Sequence, residues 1–199
     1  MTNKVRGRRR ARLGTLQEAL RRVRLFATDV DGVLTDAGMY YSESGDEFKK
    51  FNTRDGMGIK LLQRAGLITA LVTKEHTKLV ARRGEKLAIP EIHQGVDDKL
   101  AVLREMAMRH GFDLREVAFV GDDINDQEAL EAVGFSAAPA DGTASIRKTV
   151  EYVCRKRGGE GAVREVADLI LAARGRGPAT DGTRSAVMSE RRKSERRKV

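Results

Sequence analysis

The feature that most constrains this chain is a regular alternation: short apolar runs at 23–30, 67–73, 117–120 and 135–138 are separated by segments with helical hydrophobic spacing. Runs of that length, divided by amphipathic helices, build a mostly parallel sheet with helices on its faces. Weaker strands are expected at 91–93 and 151–153, and helices at 56–65, 76–88, 97–110, 124–133 and 160–173. In the first of these helices Ile59, Leu61, Leu62 and Ala65 have the spacing of a buried face. The fold class is therefore α/β. One segment, Met39 to Phe51, breaks the alternation and reads as a β-hairpin turning at Ser44-Gly45, with its aromatics supplied to one face. Exposed aromatics there need a cover, either the hairpin's own domain or another subunit.

Charge divides the chain into three parts. The net charge is +9, but residues 1–24 carry +8 and residues 174–199 carry +6, leaving −5 on residues 25–173. We expect a basic N-terminal arm at 1–21, one domain at 22–173 and a basic tail at 174–199. The tail has too little apolar material to bury and reads as disordered. It also lacks an aromatic to stack on a base, which argues against specific nucleic-acid recognition. With one cysteine, Cys154, no signal-peptide pattern and no apolar run approaching the ~20 residues of a membrane span, a cytoplasmic protein without membrane attachment is expected.

Two carboxylates, Asp29 and Asp31, stand one residue apart where the first apolar run meets Gly32. At a strand's C-terminal end, alternate residues of an extended segment face the same side of an open α/β sheet, where such sheets bind ligands. Like charges that close are relieved by a shared divalent cation or by a proton. Further elements follow later strands. Thr73 ends its run with a hydroxyl able to donate to phosphate, and Lys99 begins a helix, where the dipole disfavours a cation unless an anion is nearby. Gly121-Asp122-Asp123-Ile124-Asn125-Asp126 then places three aspartates in five positions after a buried run. Hard oxygen ligands of this kind suit Mg2+.

The order Asp29-x-Asp31-Gly32, Thr73, Lys99, Gly121-Asp122-Asp123-x-x-Asp126 resembles the haloacid dehalogenase superfamily of phosphohydrolases. Within it, the segments 29–36, 51–58 and 157–165 resemble the capless phosphatases of 3-deoxy-2-ulosonic acid phosphates. The resemblance implies a Rossmann-like three-layer core, a projecting hairpin, no cap domain, and a homotetramer. In it, hairpins and C-terminal segments such as Gly158-Gly159-Glu160-Gly161 help enclose a neighbour's site. It implies that Asp29 is the nucleophile and Asp31 the proton donor, with Lys99 and Thr73 cradling phosphate. Mg2+ would be held by Asp29, the main-chain carbonyl of Asp31 and Asp122, supported by Asp123 and Asp126. Substrate contacts are expected from Asn52, Thr53, Arg54, Asp55, Gly56, Lys60, Glu75, Arg83, Lys86 and Asn125, with the Arg54 fork suited to a carboxylate.

The octulosonate 8-phosphate enzymes of this family usually carry Thr-Gly-Arg where this chain has Thr73-Lys74-Glu75. Glu75 and Lys86 resemble instead the acid and base pair of the nonulosonate 9-phosphate branch, and their i, i+11 spacing would set both on one face of a helix. The expected substrate is accordingly a nonulosonate 9-phosphate, with 3-deoxy-octulosonate 8-phosphate as the alternative. A non-catalytic oligomerisation module of sialic acid activation is a reading of another class.

Overall fold

The computed structural model describes residues 16–175. The arm and tail expected at 1–21 and 174–199 fall mostly outside the described residues, as does the disorder expected of the tail. A six-stranded parallel sheet runs in the order β5-β4-β1-β6-β7-β8. Its strands are β1 (Leu25–Thr28), β4 (Ile68–Val72), β5 (Glu91–His93), β6 (Val117–Val120), β7 (Phe135–Ala138) and β8 (Tyr152–Val153). A separate two-stranded hairpin is formed by β2 (Tyr40–Tyr41) and β3 (Glu47–Phe48). Residues 16–22 are helical, and the helices that follow them are α1 (Thr53–Arg64), α2 (Lys78–Lys86), α3 (Lys99–Arg109), α4 (Gln127–Ala132), α5 (Ile146–Thr149) and α6 (Ala162–Ala173). The short α5 and the single 3-10 turns at Leu114–Glu116 and Ile124–Asp126 are additions to the expected elements.

Period-two alternation decides which core each strand residue enters. In β1, Phe26 packs with Val30, Leu34, Ile59, Leu62, Val166 and Ile170 on one face. Leu25 and Ala27 face the other side with Leu103, Met106, Phe119 and Ile146. The result is three layers with no inserted cap. Helix α1 starts where the Asn52 side chain accepts from Arg54 N at 2.8 Å. It packs so closely on α6 that a Cβ on Gly58 would lie 3.0 Å from Arg164 Cα.

Because β1 has β4 on one side and β6 on the other, the chain leaves it in one direction and later returns to its opposite edge. The crevice outside the carboxyl ends of such strands is where open α/β sheets bind ligands. Here it gathers the loops after β1, β4 and β6. Among the described residues no helix is long and apolar enough to cross a membrane.

Tyr40 pairs across the hairpin with Phe48, as the expected face requires, but Tyr41 pairs with Glu47 and so points the other way. Within this chain Tyr40, Tyr41 and Phe48 are all exposed. The hairpin base is held to the β1 loop by Asp36, which accepts from Tyr40 Oη at 2.8 Å and Lys50 Nζ at 3.1 Å.

Candidate active site

Asp29 follows β1 and is buried. Its main-chain N–H donates to Val120 O at 2.9 Å, tying the loop to β6, and its Oδ1 accepts from Val30 N at 2.7 Å. Lys99, the first residue of α3, reaches in so that its Nζ lies 2.8 Å from Asp29 Oδ2 and 2.5 Å from Asp126 Oδ1. Burial opposes the Lys99 charge, but Asp29 and Asp126 outweigh it and hold the ammonium protonated. The contact offsets the unfavourable placing of a lysine at a helix N-terminus.

Asp126 is the hub of the β6 loop. Its Oδ2 accepts from the main-chain N–H groups of Asp122 at 2.9 Å and Asp123 at 3.3 Å. One carboxylate oxygen each of Asp29, Asp122 and Asp126 lies within 4.8 Å of the others. Burial, then the Asp126 charge, drives Asp29 above the ordinary carboxylate range. Burial, then Asp29, Asp126 and Asp123, pushes Asp122 up to about 8. Three carboxylates sharing one ammonium are short of positive charge, which is the setting that takes up a hard divalent cation. Gly32 leaves room for this arrangement, since a Cβ there would lie 2.0 Å from Asp122 Oδ2, and its φ of +81° suits glycine.

Asp31 is placed by a turn rather than by strand alternation. β1 ends at Thr28, and Leu34 N and Thr35 N both donate to Val30 O, at 2.9 and 3.0 Å. The Asp31 Oδ1 then accepts from Lys49 Nζ at 2.6 Å and Thr35 Oγ1 at 3.3 Å, while Oδ2 is buried without a partner. The carboxylates that cluster are thus Asp29, Asp122 and Asp126, with the Asp31 carboxylate engaged elsewhere.

A cleft of about 270 Å³ opens over these groups, lined among others by Asp29, Asp31, Thr73, Glu75, Asp122 and Asn125. Thr73 is anchored there by its own N–H to His93 O at 3.0 Å and by Val96 N to its carbonyl at 3.1 Å. Asp123 also borders the cleft.

The remaining expected substrate contacts lie elsewhere in this chain. Asp55 is buried, and its two oxygens accept from Gly161 N at 3.1 Å and Arg164 N at 2.8 Å. It anchors the N-terminus of α6 instead of facing the cleft. Asn52 caps α1 and donates from Nδ2 to Gly159 O at 3.1 Å. Gly56 makes space for the Arg83 guanidinium, which donates to Asn52 O at 3.0 Å and stacks over Phe51 at 5.4 Å. Thr53 and Arg54 are exposed in the first turn of α1, and Arg54 lines a groove of about 690 Å³ with Arg155, Lys156 and Arg164. That groove shares no lining residue with the cleft. Lys60 lies on α1 and does not line the cleft.

The expected helical pairing of Glu75 with Lys86 is overturned. Thr77 caps α2, so Glu75 sits in the preceding loop at the cleft, whereas Lys86 is exposed at the far end of the helix. Glu75 Oε2 accepts instead from Lys49 Nζ at 2.6 Å. Lys49 is the residue sequence reasoning missed: it lies just past β3, its side chain is only 2% exposed, and it joins Asp31 to Glu75. Its one sequence signal is the alternation that turns it away from Phe48. The glycine segment after β8 backs this chain's own β1 loop: Gly159 N donates to Val33 O at 3.0 Å, and a Cβ on Gly158 would meet Gly32 O at 1.9 Å.

Fold and site together define a hydrolase of the haloacid dehalogenase type, and a family model described as haloacid dehalogenase-like hydrolase matches residues 68–166. A Yersinia pestis relative, 3-deoxy-D-manno-octulosonate 8-phosphate phosphatase KdsC, is 40% identical over 151 residues, 76% of this chain and 81% of its own length. The same-named enzyme of Moraxella catarrhalis, solved with magnesium ion, phosphate ion and KDO, superposes with a TM-score of 0.80 at 37% identity, covering 82% of this chain and 94% of that one. The cobalt-bound form of the Haemophilus influenzae deoxy-D-mannose-octulosonate 8-phosphate phosphatase YrbI gives 0.79 at 33% identity, over 85% and 99%. The chain belongs to the haloacid dehalogenase-like hydrolases, in the family of the KdsC phosphatases, and is a phosphatase of the haloacid dehalogenase type. That leaves no ground for the non-catalytic module.

Proposed function

We propose that this chain hydrolyses the phosphate ester of a 3-deoxy-2-ulosonic acid, with 3-deoxy-D-manno-octulosonate 8-phosphate as its substrate and Mg2+ as its cofactor. The observation that carries the reading is the buried centre in which Lys99 lies 2.8 Å from Asp29 and Asp122 completes a carboxylate cluster. Asp29, Asp122 and the Asp31 carbonyl would hold Mg2+, which when bound screens the negative charge between a carboxylate nucleophile and a phosphate.

This chain's own groups account for the rest. Asp29 attacks phosphorus, the P–O bond to the sugar breaks, and the departing oxygen takes its electron pair and a proton from Asp31. Water then attacks the aspartyl phosphate, giving its proton to Asp31, and phosphate leaves with Asp29 restored. Lys99 and Thr73 steady the phosphoryl oxygens. Asp126 holds Lys99 and the β6 loop in place, and Asp123 and Asn125 border the same cleft.

The names of the relatives support the eight-carbon ester. The nine-carbon preference loses its helical Glu75 and Lys86 pair, though Glu75 does line the cleft and keeps that ester as the second reading. Comparing kcat/KM for the two purified esters with Mg2+ tests the choice, and a clear preference for the nine-carbon ester would overturn it. We further propose that 22–173 is the catalytic domain, with 1–21 and 174–199 as basic extensions. The exposed Tyr40, Tyr41 and Phe48 support a homotetramer in which hairpins meet neighbouring subunits.

A further inference from the structure

Lys49 is a buried cation that the chemistry above does not use. It is carried by the hairpin limb, yet its ammonium ends among three carboxylates: Asp31 and Glu75 at 2.6 Å each, and Glu47 at 3.8 Å. Three sections of the chain meet at this one nitrogen: the turn after β1, the hairpin and the loop after β4. Of the two Asp31 oxygens, Oδ1 is taken by Lys49 and Thr35, and Oδ2 alone remains without a partner. A charge-assisted contact this short restricts the carboxyl to one orientation. Thr35 is a weaker hold at 3.3 Å, so Lys49 is the principal restraint on which oxygen Asp31 presents. Glu75 is in turn matched by Lys49, which changes what an acid at that position does.

We propose that Lys49 is a positioning residue for Asp31, and that Glu75 influences the reaction by holding Lys49 in place. The inference rests on the assignment of Asp31 as the proton donor. It separates two effects that the reaction otherwise joins. Attack by Asp29 on phosphorus needs no aim from Asp31, whereas departure of a sugar alkoxide needs its proton delivered at one oxygen. A nitrophenolate leaves without a proton.

The test uses the full chain with Mg2+, measuring kcat and KM for 3-deoxy-D-manno-octulosonate 8-phosphate and for p-nitrophenyl phosphate. Lys49→Met is expected to lower kcat for the sugar ester by about tenfold or more, a fraction of the range for general acid catalysis, with the first-turnover release of nitrophenolate, which reports attack by Asp29 alone and precedes the water step that also uses Asp31, changed by less than about threefold. Glu75→Gln should lower the sugar-ester kcat in the same way by a smaller factor. Added to Lys49→Met it should have little further effect, because residues acting as one unit are not additive. Lys49→Arg, which keeps the charge, should recover part of the rate and guards against a Met variant that fails to fold. A first-turnover release of nitrophenolate slowed as much as the sugar-ester kcat, a raised KM with kcat unchanged, or fully additive effects of the two substitutions would overturn the proposal. A wild-type chain inert on both esters, or activity surviving Asp29→Asn, would instead overturn the assignment of the site, and this inference with it.

Discussion

The Lys99 ammonium lies 2.5 Å from the Asp126 carboxylate, and neither side chain exposes more than 1% of its surface. The pair joins the start of α3 to the loop after β6, and through the second contact of Lys99 it reaches Asp29 as well. Removing the ammonium would leave two buried carboxylates, Asp29 and Asp126, beside the half-buried Asp122 with no cation among the described side chains to offset them. Lys99→Met is therefore expected to lower the metal-free protein's stability by about 3 kcal/mol, as stripping one partner from a buried ion pair does. It should also abolish phosphate release. Urea unfolding with a chelator present checks the first, and unchanged stability would contradict the reading of the contact.

Asp55 provides a test of placement. Both of its oxygens accept main-chain N–H groups at the start of α6, so it is bound up in holding α6 against α1. Asp55→Ala should cost about 2 kcal/mol, the upper range for loss of a helix N-terminal acceptor. KM should stay within about twofold, because the carboxylate does not face the cleft. A raised KM at unchanged stability would return Asp55 to the substrate contacts.

Glu91 gives the protein an acid-sensitive brace at the edge strand. Burial opposes its ionisation, but hydrogen bonds from His110, His93 and Arg109 outweigh this and hold the carboxyl at about 2, below the ordinary 4.5. A depressed carboxyl stabilises the fold fully above its unfolded pKa, and that stabilisation is lost as pH falls from about 4.5 toward 2. Glu91→Gln should be less stable than the wild type by about 2 kcal/mol at pH 6, with the gap closing toward the acid end. Unfolding midpoints of the two proteins across that interval measure it.

Gly158 touches the back of the catalytic loop. A Cβ there would lie 1.9 Å from the carbonyl oxygen of Gly32, and backbone on both sides leaves little to yield. Gly158→Ala should cost at least about 2 kcal/mol through overpacking and lower kcat by shifting the Asp31 turn. A variant with full activity would contradict the close approach.

Much of this was legible in the sequence because it rests on local pattern. The four strong apolar runs became β1, β4, β6 and β7, since buried parallel strands have few other sequence forms. The motif order brought Asp29, Thr73, Lys99 and Asp122 together because each follows a strand, and strand ends converge at the crevice. Two things were not legible. Periodicity fixes neither where a strand stops nor where a helix is capped, so the turn that carries Asp31 and the Thr77 cap of α2 went unseen, and Glu75 was paired with Lys86 although it already lay outside the helix expected at 76–88. Contacts between segments distant in sequence leave no local trace either. Lys49 bonding Asp31 and Glu75, and Asp55 bonding the start of α6, depend on how the hairpin and α1 dock.

The most direct test of the central claim is inorganic phosphate release from 3-deoxy-D-manno-octulosonate 8-phosphate by the purified chain, with Mg2+ or with a chelator, for the wild type and Asp29→Asn. Release that requires Mg2+ and disappears in the variant is the predicted result. No release by the wild type, or release that persists without Asp29, would contradict the account.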